Sequence, residues 1–494
     1  MLRAGIGRGI ITPPLGMTMA GYAGREGVAK DIDEDLTATA LLLDDGSQRA
    51  AIVSLDLAFT PGSLTADIRG ALGSVWRIPP SHILLNCSHT HSGPTFDAFQ
   101  YDDDPQQDQM RSNYARQLVE KMAGLGTEVE LALKPARVGT ATGEARIGIH
   151  RREVDGTGDV ILGENPSGPV DHEVRVIRID DLSGRPMGVV FSHGCHTVTM
   201  GPKSLCWSPD YVGPARRVLE SNLRCLSMFL QANAGDINPI TGIGAAEDNT
   251  NEKNRLGWML GGEALKVHST IYTESIRGPR TFFGTLAKAS IYPRLPLPEE
   301  PDSSLVVKEI PCKLQLQALP SLEVARQLDT QCRADVAALR KEGASEARLN
   351  VARRYVHWST ALLDAATQQR EPFLDSTIQV LRIGDLVLAA FPGETFSTLG
   401  MEVKRGSPFK NTLFMGYSNG CVCYIPTRDA FPSEGWSVLK RYHVPDMLFP
   451  AYKVPTSLHP GTGEMIVDKT VELLKEIYEQ RGAGSWQSRL KSAS

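Results

Sequence analysis

Ile83-Leu84-Leu85-Asn86-Cys87-Ser88-His89-Thr90-His91-Ser92-Gly93-Pro94 begins as a short apolar run and closes on two histidines, small hydroxyl residues and a Gly-Pro stop. A run of that length bounded by turn formers reads as a buried strand with polar groups just past its C-terminal end. His-x-His on extended backbone puts both imidazoles on one face, with Cα atoms about 7 Å apart, because strand side chains alternate. The pair suits two ligands of one metal ion, or one ligand with a base beside it.

The same arrangement recurs along the chain. The run Met187 to Phe191 ends in Ser192-His193-Gly194-Cys195-His196, and Leu386 to Phe391 ends in Pro392-Gly393-Glu394. Met228 to Leu230 leads into Gln231-Ala232-Asn233-Ala234-Gly235-Asp236, and Ala50 to Leu55 is a further apolar run. In open α/β sheets the C-terminal strand edge is where sites form. His193 and His196 add candidate imidazoles, and Glu394 adds a carboxylate. Two neutral histidines and one glutamate leave a position on zinc open for water, the layout of a catalytic rather than a closed structural site.

Other chemistries find no support in the residues. There is no His-Glu-x-x-His helix, no Gly-x-x-x-x-Gly-Lys-Ser/Thr loop and no Gly-x-Ser-x-Gly elbow. Gly5-Ile6-Gly7-Arg8-Gly9 departs from dinucleotide-binding spacing. Cys421-Val422-Cys423 admits a soft metal or a buried thiol pair, and the absence of a second cysteine pair favours the thiols.

Helical periodicity links the strands. Met110, Tyr114, Leu118 and Met122 recur every four residues, as do Val324, Leu328, Cys332 and Val336. Leu349, Ala352, Val356 and Leu363 continue after a break at Gly343, and Met465 to Tyr478 carries a C-terminal helix. The expected fold class is α/β (mixed α+β), with a large mixed sheet at the core, surrounding helices and an inserted helical hairpin over 316–370. No internal repeat is visible. Residues 1–485 read as a single domain, 291–303 as a surface connection and 486–494 as a frayed tail. The hairpin's charged faces fit a solvated cover, and as functional alternatives a lid or a homo-oligomer contact.

Composition bounds the partners. The 494 residues are 41% hydrophobic and 22% charged, with a net charge of −5. That balance offers no field for nucleic acid or an anionic membrane. No stretch approaches the roughly 20 apolar residues of a membrane helix, so no integral membrane association is expected. No secretory leader is evident, and eight scattered cysteines fit reduced thiols. A cytoplasmic location is the expectation.

Taken in order, these motifs resemble a known family. Residues 84–94 resemble the Thr-His-Thr-His-Ser-Gly-Pro signature of the neutral/alkaline ceramidases. Ile11-Thr12-Pro13-Pro14 with Met19-Ala20-Gly21-Tyr22-Ala23, Asn233-Ala234-Gly235-Asp236, and Pro392-Gly393-Glu394-Thr395-Phe396-Ser397-Thr398 resemble further segments of it. The similarity runs from about residue 5 to 478. It implies the family's catalytic domain, one Zn2+ per chain and hydrolysis of an amide bond. It also implies metal ligands at His89, His196, Glu394 and Tyr424. His196 is chosen over His193 because it precedes Ser208-Pro209-Asp210 by the family's spacing. His91 takes the family's proton-handling position, and Arg151 matches a site arginine. Asp210 and Asp236 are candidate supporting carboxylates.

Departures from the pattern bear on the substrate. Asn238 stands where the family has a site serine, and Trp436 where it has a second site tyrosine. Asn238, Trp436 and Arg151 are therefore the expected substrate-binding residues, with Trp436 also at the catalytic edge. The family's C-terminal β-sandwich has no counterpart in the sequence. These differences imply a soluble small-molecule amide substrate rather than membrane ceramide. An esterase or lactonase with the same site, a true ceramidase, and a zinc-binding protein without catalysis are the alternatives.

Overall fold

The computed structural model describes residues 1–96, 104–284, 288–431 and 449–491, with side chains described to residue 481. Four strands open the chain: β1 (Arg3–Ile10), β2 (Thr37–Asp44), β3 (Arg49–Leu55) and β4 (Ile83–Cys87). β1, β2 and β3 run antiparallel to their neighbours, and helix α1 (Gly62–Trp76) carries the chain over to β4, parallel to β3. Helix α2 (Pro105–Leu131) follows.

That connectivity is then used twice more. β5 (Arg137–Glu144), β6 (Glu173–Asp180) and β7 (Pro186–His193) are antiparallel, and α3 (Val212–Leu223) crosses to β8 (Leu226–Gln231), parallel to β7. Helix α4 (Thr250–His268) follows. β9 (Leu305–Gln315), β10 (Phe373–Ile383) and β11 (Leu386–Ala390) are antiparallel. Between β9 and β10 the chain forms α5 (Leu322–Lys341) and α6 (Glu346–Thr367). Then α7 (Ser397–Gly406) crosses to β12 (Asn411–Met415), parallel to β11, and α8 (Thr462–Lys491) follows. The mixed α/β class read from the sequence thus takes the form of three mixed sheets of one connectivity.

Side-chain alternation explains how the three units fit together. In β2, Ala38, Ala40 and Leu42 join a cluster with α1 and α2, whereas Leu41 and Leu43 face the other way. The inner cluster collects Leu41, Leu43, Ile52 and Leu84 from the first sheet, Ile177, Val190 and Leu230 from the second, and Leu381, Leu388 and Met415 from the third. Each sheet therefore shares one face with the common core. The other face is covered by a helix pair: α1 and α2, α3 and α4, or α7 and α8. Strands buried on both faces read as unbroken apolar runs, which is why these were legible in the sequence.

The expected hairpin over 316–370 is α5 and α6. Ser321 and Ser345 cap the two helices through hydrogen bonds from the Val324 and Arg348 amides, and Gly343 makes the turn at φ +72°. Only glycine takes that conformation freely. Trp358 of α6 donates its indole N–H to Pro455 O at 3.1 Å, seating the hairpin on the segment that includes Phe449–Tyr452. One expectation changes: residues 294–296, read as connection, are a strand paired with Ser275–Arg277. No helix among the described residues is long and apolar enough to cross a membrane.

Candidate metal centre

In each unit the two parallel strands end at the same side of the shared core, and the chemistry collects there. His89 lies two residues beyond β4, His196 three beyond β7 and Glu394 four beyond β11. Glu394 and Thr395 pair in parallel with Tyr424 and Ile425. His89 sits in the left-handed region at φ 62°, with Asp210 at 57° and Tyr417 at 52°. Such conformations cost about 1–3 kcal/mol each in non-glycine residues and concentrate at functional sites.

His89, His91 and His196 form one group whose ligand atoms all lie within 4.8 Å of one another. His89 Nδ1 faces Ala58 O at 2.9 Å and His196 Nδ1 faces Ala234 O at 2.6 Å. A carbonyl can only accept, so both rings carry their proton on Nδ1 and turn an Nε2 lone pair inward. Each of those Nε2 atoms lies 3.3 Å from Glu394 Oε2. His91 Nε2 lies 3.2 Å from His89 Nε2. Complete burial drives His196 down to about 3 and His91 well below its ordinary value. Burial alone would raise Glu394, yet the facing His89 and His196 hold it well below the carboxylate range. Converging lone pairs around an anionic carboxylate are the donor set a divalent cation requires, and His196 Nε2 finds no hydrogen-bond partner among the described residues.

His91 differs from the other two histidines. Its Nδ1 finds no hydrogen-bond partner among the described residues, and it is 8% exposed where His89 and His196 are fully buried. Tyr22 packs edge-on against its ring at 5.0 Å. Gly21, at φ +96°, lets the backbone pass the same ring: a Cβ there would fall 2.3 Å from its atoms. Gly21→Ala is therefore expected to displace His91 while leaving the metal in place. Turnover should fall by roughly the 10²-fold that a 1 Å misplacement costs, and metal analysis alongside kinetics checks both halves.

Arg151 and Asn238, two of the residues named from the sequence, lie together. Arg151, on the strand Gly148–Val154, donates through Nη1 to Asn238 Oδ1 at 3.2 Å and through Nη2 to the Tyr424 hydroxyl at 3.1 Å. Its amide donates to Asp236 O, and Asp236 accepts from the Ser397 amide and hydroxyl. Asp210 accepts from the Met200 and Tyr211 amides, fixing the turn beyond His196. His193 faces Glu173 O at 3.1 Å, away from the three-histidine group, and burial lowers it to about 4. Cys421 and Cys423 are free thiols, both raised by burial and then by the charge of Glu394. Trp436 lies outside the described residues.

Four contributors carry no mark in the sequence reading. The Tyr452 hydroxyl donates to Glu394 Oε1, and the Tyr417 hydroxyl lies 3.4 Å from Oε2. Tyr22 flanks His91. Arg25, 4% exposed, donates to Ala20 O at 2.7 Å and His91 O at 2.9 Å, pinning the loop that carries Tyr22. Only Met19-Ala20-Gly21-Tyr22-Ala23 offered a signal, as part of the family resemblance.

Compared with models of known protein families, the chain matches none. Among solved structures it is similar to the neutral ceramidase of Pseudomonas aeruginosa, at 18% identity and a TM-score of 0.62, covering 96% of this chain and 75% of that one. It is also similar to a ceramidase complexed with C2, at 16% identity and a TM-score of 0.65, covering 97% of this chain and 75% of that one. At such identities the likeness establishes a shared fold.

Proposed function

We propose that this chain, whose fold is that of the neutral ceramidases, is a zinc-dependent hydrolase of an amide bond in a small soluble substrate. The observation that carries the proposal is the meeting of His89 Nε2 and His196 Nε2 on Glu394 Oε2, at 3.3 Å each, with their opposite ring nitrogens fixed on carbonyls. His89, His196 and Glu394 would hold the ion. Tyr424 would be the fourth ligand, its oxygen accepting from Arg151 at 3.1 Å, the cationic partner a phenolate would need.

Zinc in this position supplies an electrophile that polarises a carbonyl and acidifies water from a pKa of about 15.7 towards about 7. The protein's own residues do the rest. His91, neutral and with its Nε2 turned towards His89 Nε2 at 3.2 Å, takes a proton from water and returns it to the departing amine, which amides need more than esters do. Tyr452 and Tyr417 orient the Glu394 carboxylate by bonding one oxygen each. Arg151, held by Asn238, presents its charge to a polar or carboxylate end of the substrate.

Metal content of the purified protein, with hydrolysis of matched N-acyl amides and esters before and after chelation, tests the reading. About one zinc per chain and chelator-sensitive amide cleavage are the expected result. Activity confined to the esters would make the chain an esterase, and activity indifferent to chelation would remove the metal from the reaction.

A further inference from the structure

Most of the surface follows the usual rule that large apolar side chains are exposed singly. One segment does not. Between Tyr272 and Leu295 the chain exposes Tyr272, Ile276, Phe282, Phe283, Ile291, Tyr292 and Leu295, with Phe283 72% exposed. The backbone there is an antiparallel ribbon: Ser275–Arg277 pairs with Arg294–Pro296, and Thr281–Phe283 with Ala289–Ile291. Ile276 stands opposite Leu295, and Phe283 opposite Ala289, so apolar pairs recur along it. A two-stranded ribbon is marginal in water unless its apolar face is covered. From 275 to 296 its charged residues are Arg277, Arg280, Lys288 and Arg294, with no acid.

A second exposed ribbon is its electrostatic complement. Strand Gly148–Val154 turns back through Val160–Asn165, exposing Val154, Ile161 and Leu162. From 153 to 164 its charged residues are Glu153, Asp155, Asp159 and Glu164, with no base. One ribbon thus offers apolar side chains among four cations, and the other offers apolar side chains among four carboxylates.

We propose that the 275–296 arm of one chain docks on the acidic 153–164 end of the 148–165 ribbon in a second copy, and reciprocally, forming a two-fold dimer. In a two-fold pair each chain gives its arm and receives its partner's, so both ribbons are covered at once. Charge complementarity steers the encounter and sets the register, while the exposed aromatic and aliphatic side chains supply buried area. A lipid surface is the poorer occupant, because the ribbon's open backbone edges find hydrogen-bond partners on protein and none in hydrocarbon. Docking would also brace the strand that carries Arg151.

Sedimentation velocity on the full chain tests this. The unaltered protein should sediment as a dimer. Asp159→Lys with Glu164→Lys should be monomeric, as should Arg280→Glu with Lys288→Glu, each with unchanged far-ultraviolet circular dichroism. An equimolar mixture of the two variants should recover the dimer, since each then meets the opposite charge. A monomeric unaltered protein, a dimer that survives in both variants, or a mixture that stays monomeric would each overturn the proposal. Binding of a monomer to phosphatidylcholine–phosphatidylserine vesicles would reassign the arm to membranes.

Discussion

Changing His89 or Glu394 to alanine should leave the protein without stoichiometric zinc and without turnover. Each side chain comes from a different sheet, so neither neighbour can take the other's place. Loss of a residue that merely orients a metal ligand costs about 10–100-fold in affinity, and loss of the ligand itself should cost more. Glu394→Ala also removes the carboxylate that the Tyr452 and Tyr417 hydroxyls bond in a buried setting. Metal analysis by mass spectrometry and hydrolysis of an N-acyl amide give the two readings. Full zinc occupancy with undiminished turnover in both variants would remove this site from the reaction.

His91→Ala should behave in the opposite way for the metal. The variant should keep its zinc and lose turnover by about 10²–10⁴-fold, the usual contribution of a positioned acid or base. The reason is local. His89 and His196 are locked by carbonyls on their far nitrogens, the arrangement of a ligand, whereas His91 has no such anchor among the described residues and keeps some access to solvent. Departure of the metal together with His91 would make it a third histidine ligand, and would hand proton transfer to another group. Arg151→Ala serves as a comparison, because it should raise KM for substrates with a charged end and, by removing the cation beside Tyr424, weaken zinc binding less than loss of His89 or Glu394 does.

What the sequence disclosed follows from these same contacts. Ligands at strand ends were legible because a strand buried on both faces is an apolar run, and the polar residues that follow it stand out. His89, His193, His196 and Glu394 became candidates in that way, and the family resemblance chose His196 over His193. Tyr452 and Tyr417 were not, because a tyrosine that reaches across the core to a carboxylate leaves no spacing in the chain around it. Arg25 escaped for the same reason, since its partners are backbone carbonyls at Ala20, His91 and Gly201, which no sequence pattern marks. The threefold reuse of one connectivity was also hidden. Each sheet specifies its place by which side chains alternate inward, and that condition is met by unrelated apolar residues. The resemblance to ceramidases supplied Tyr424 and Arg151, which the structure brings within hydrogen-bonding distance of each other.

The spread of the ligands over three units has a consequence for how the protein is made. His89 and His196 leave the ribosome well before Glu394, which follows His196 by about 200 residues, or roughly 10–40 s at ordinary synthesis rates. During that interval the inner faces of the first two sheets lack the third, and the two imidazoles lack their carboxylate. A nascent chain of that length offers a histidine pair to any soft divalent ion present, without the charge that completes the set. On the proposed ligand set, metal selection would be deferred to the last third of translation. The ion it matures with should depend on which metals are available as the third sheet closes.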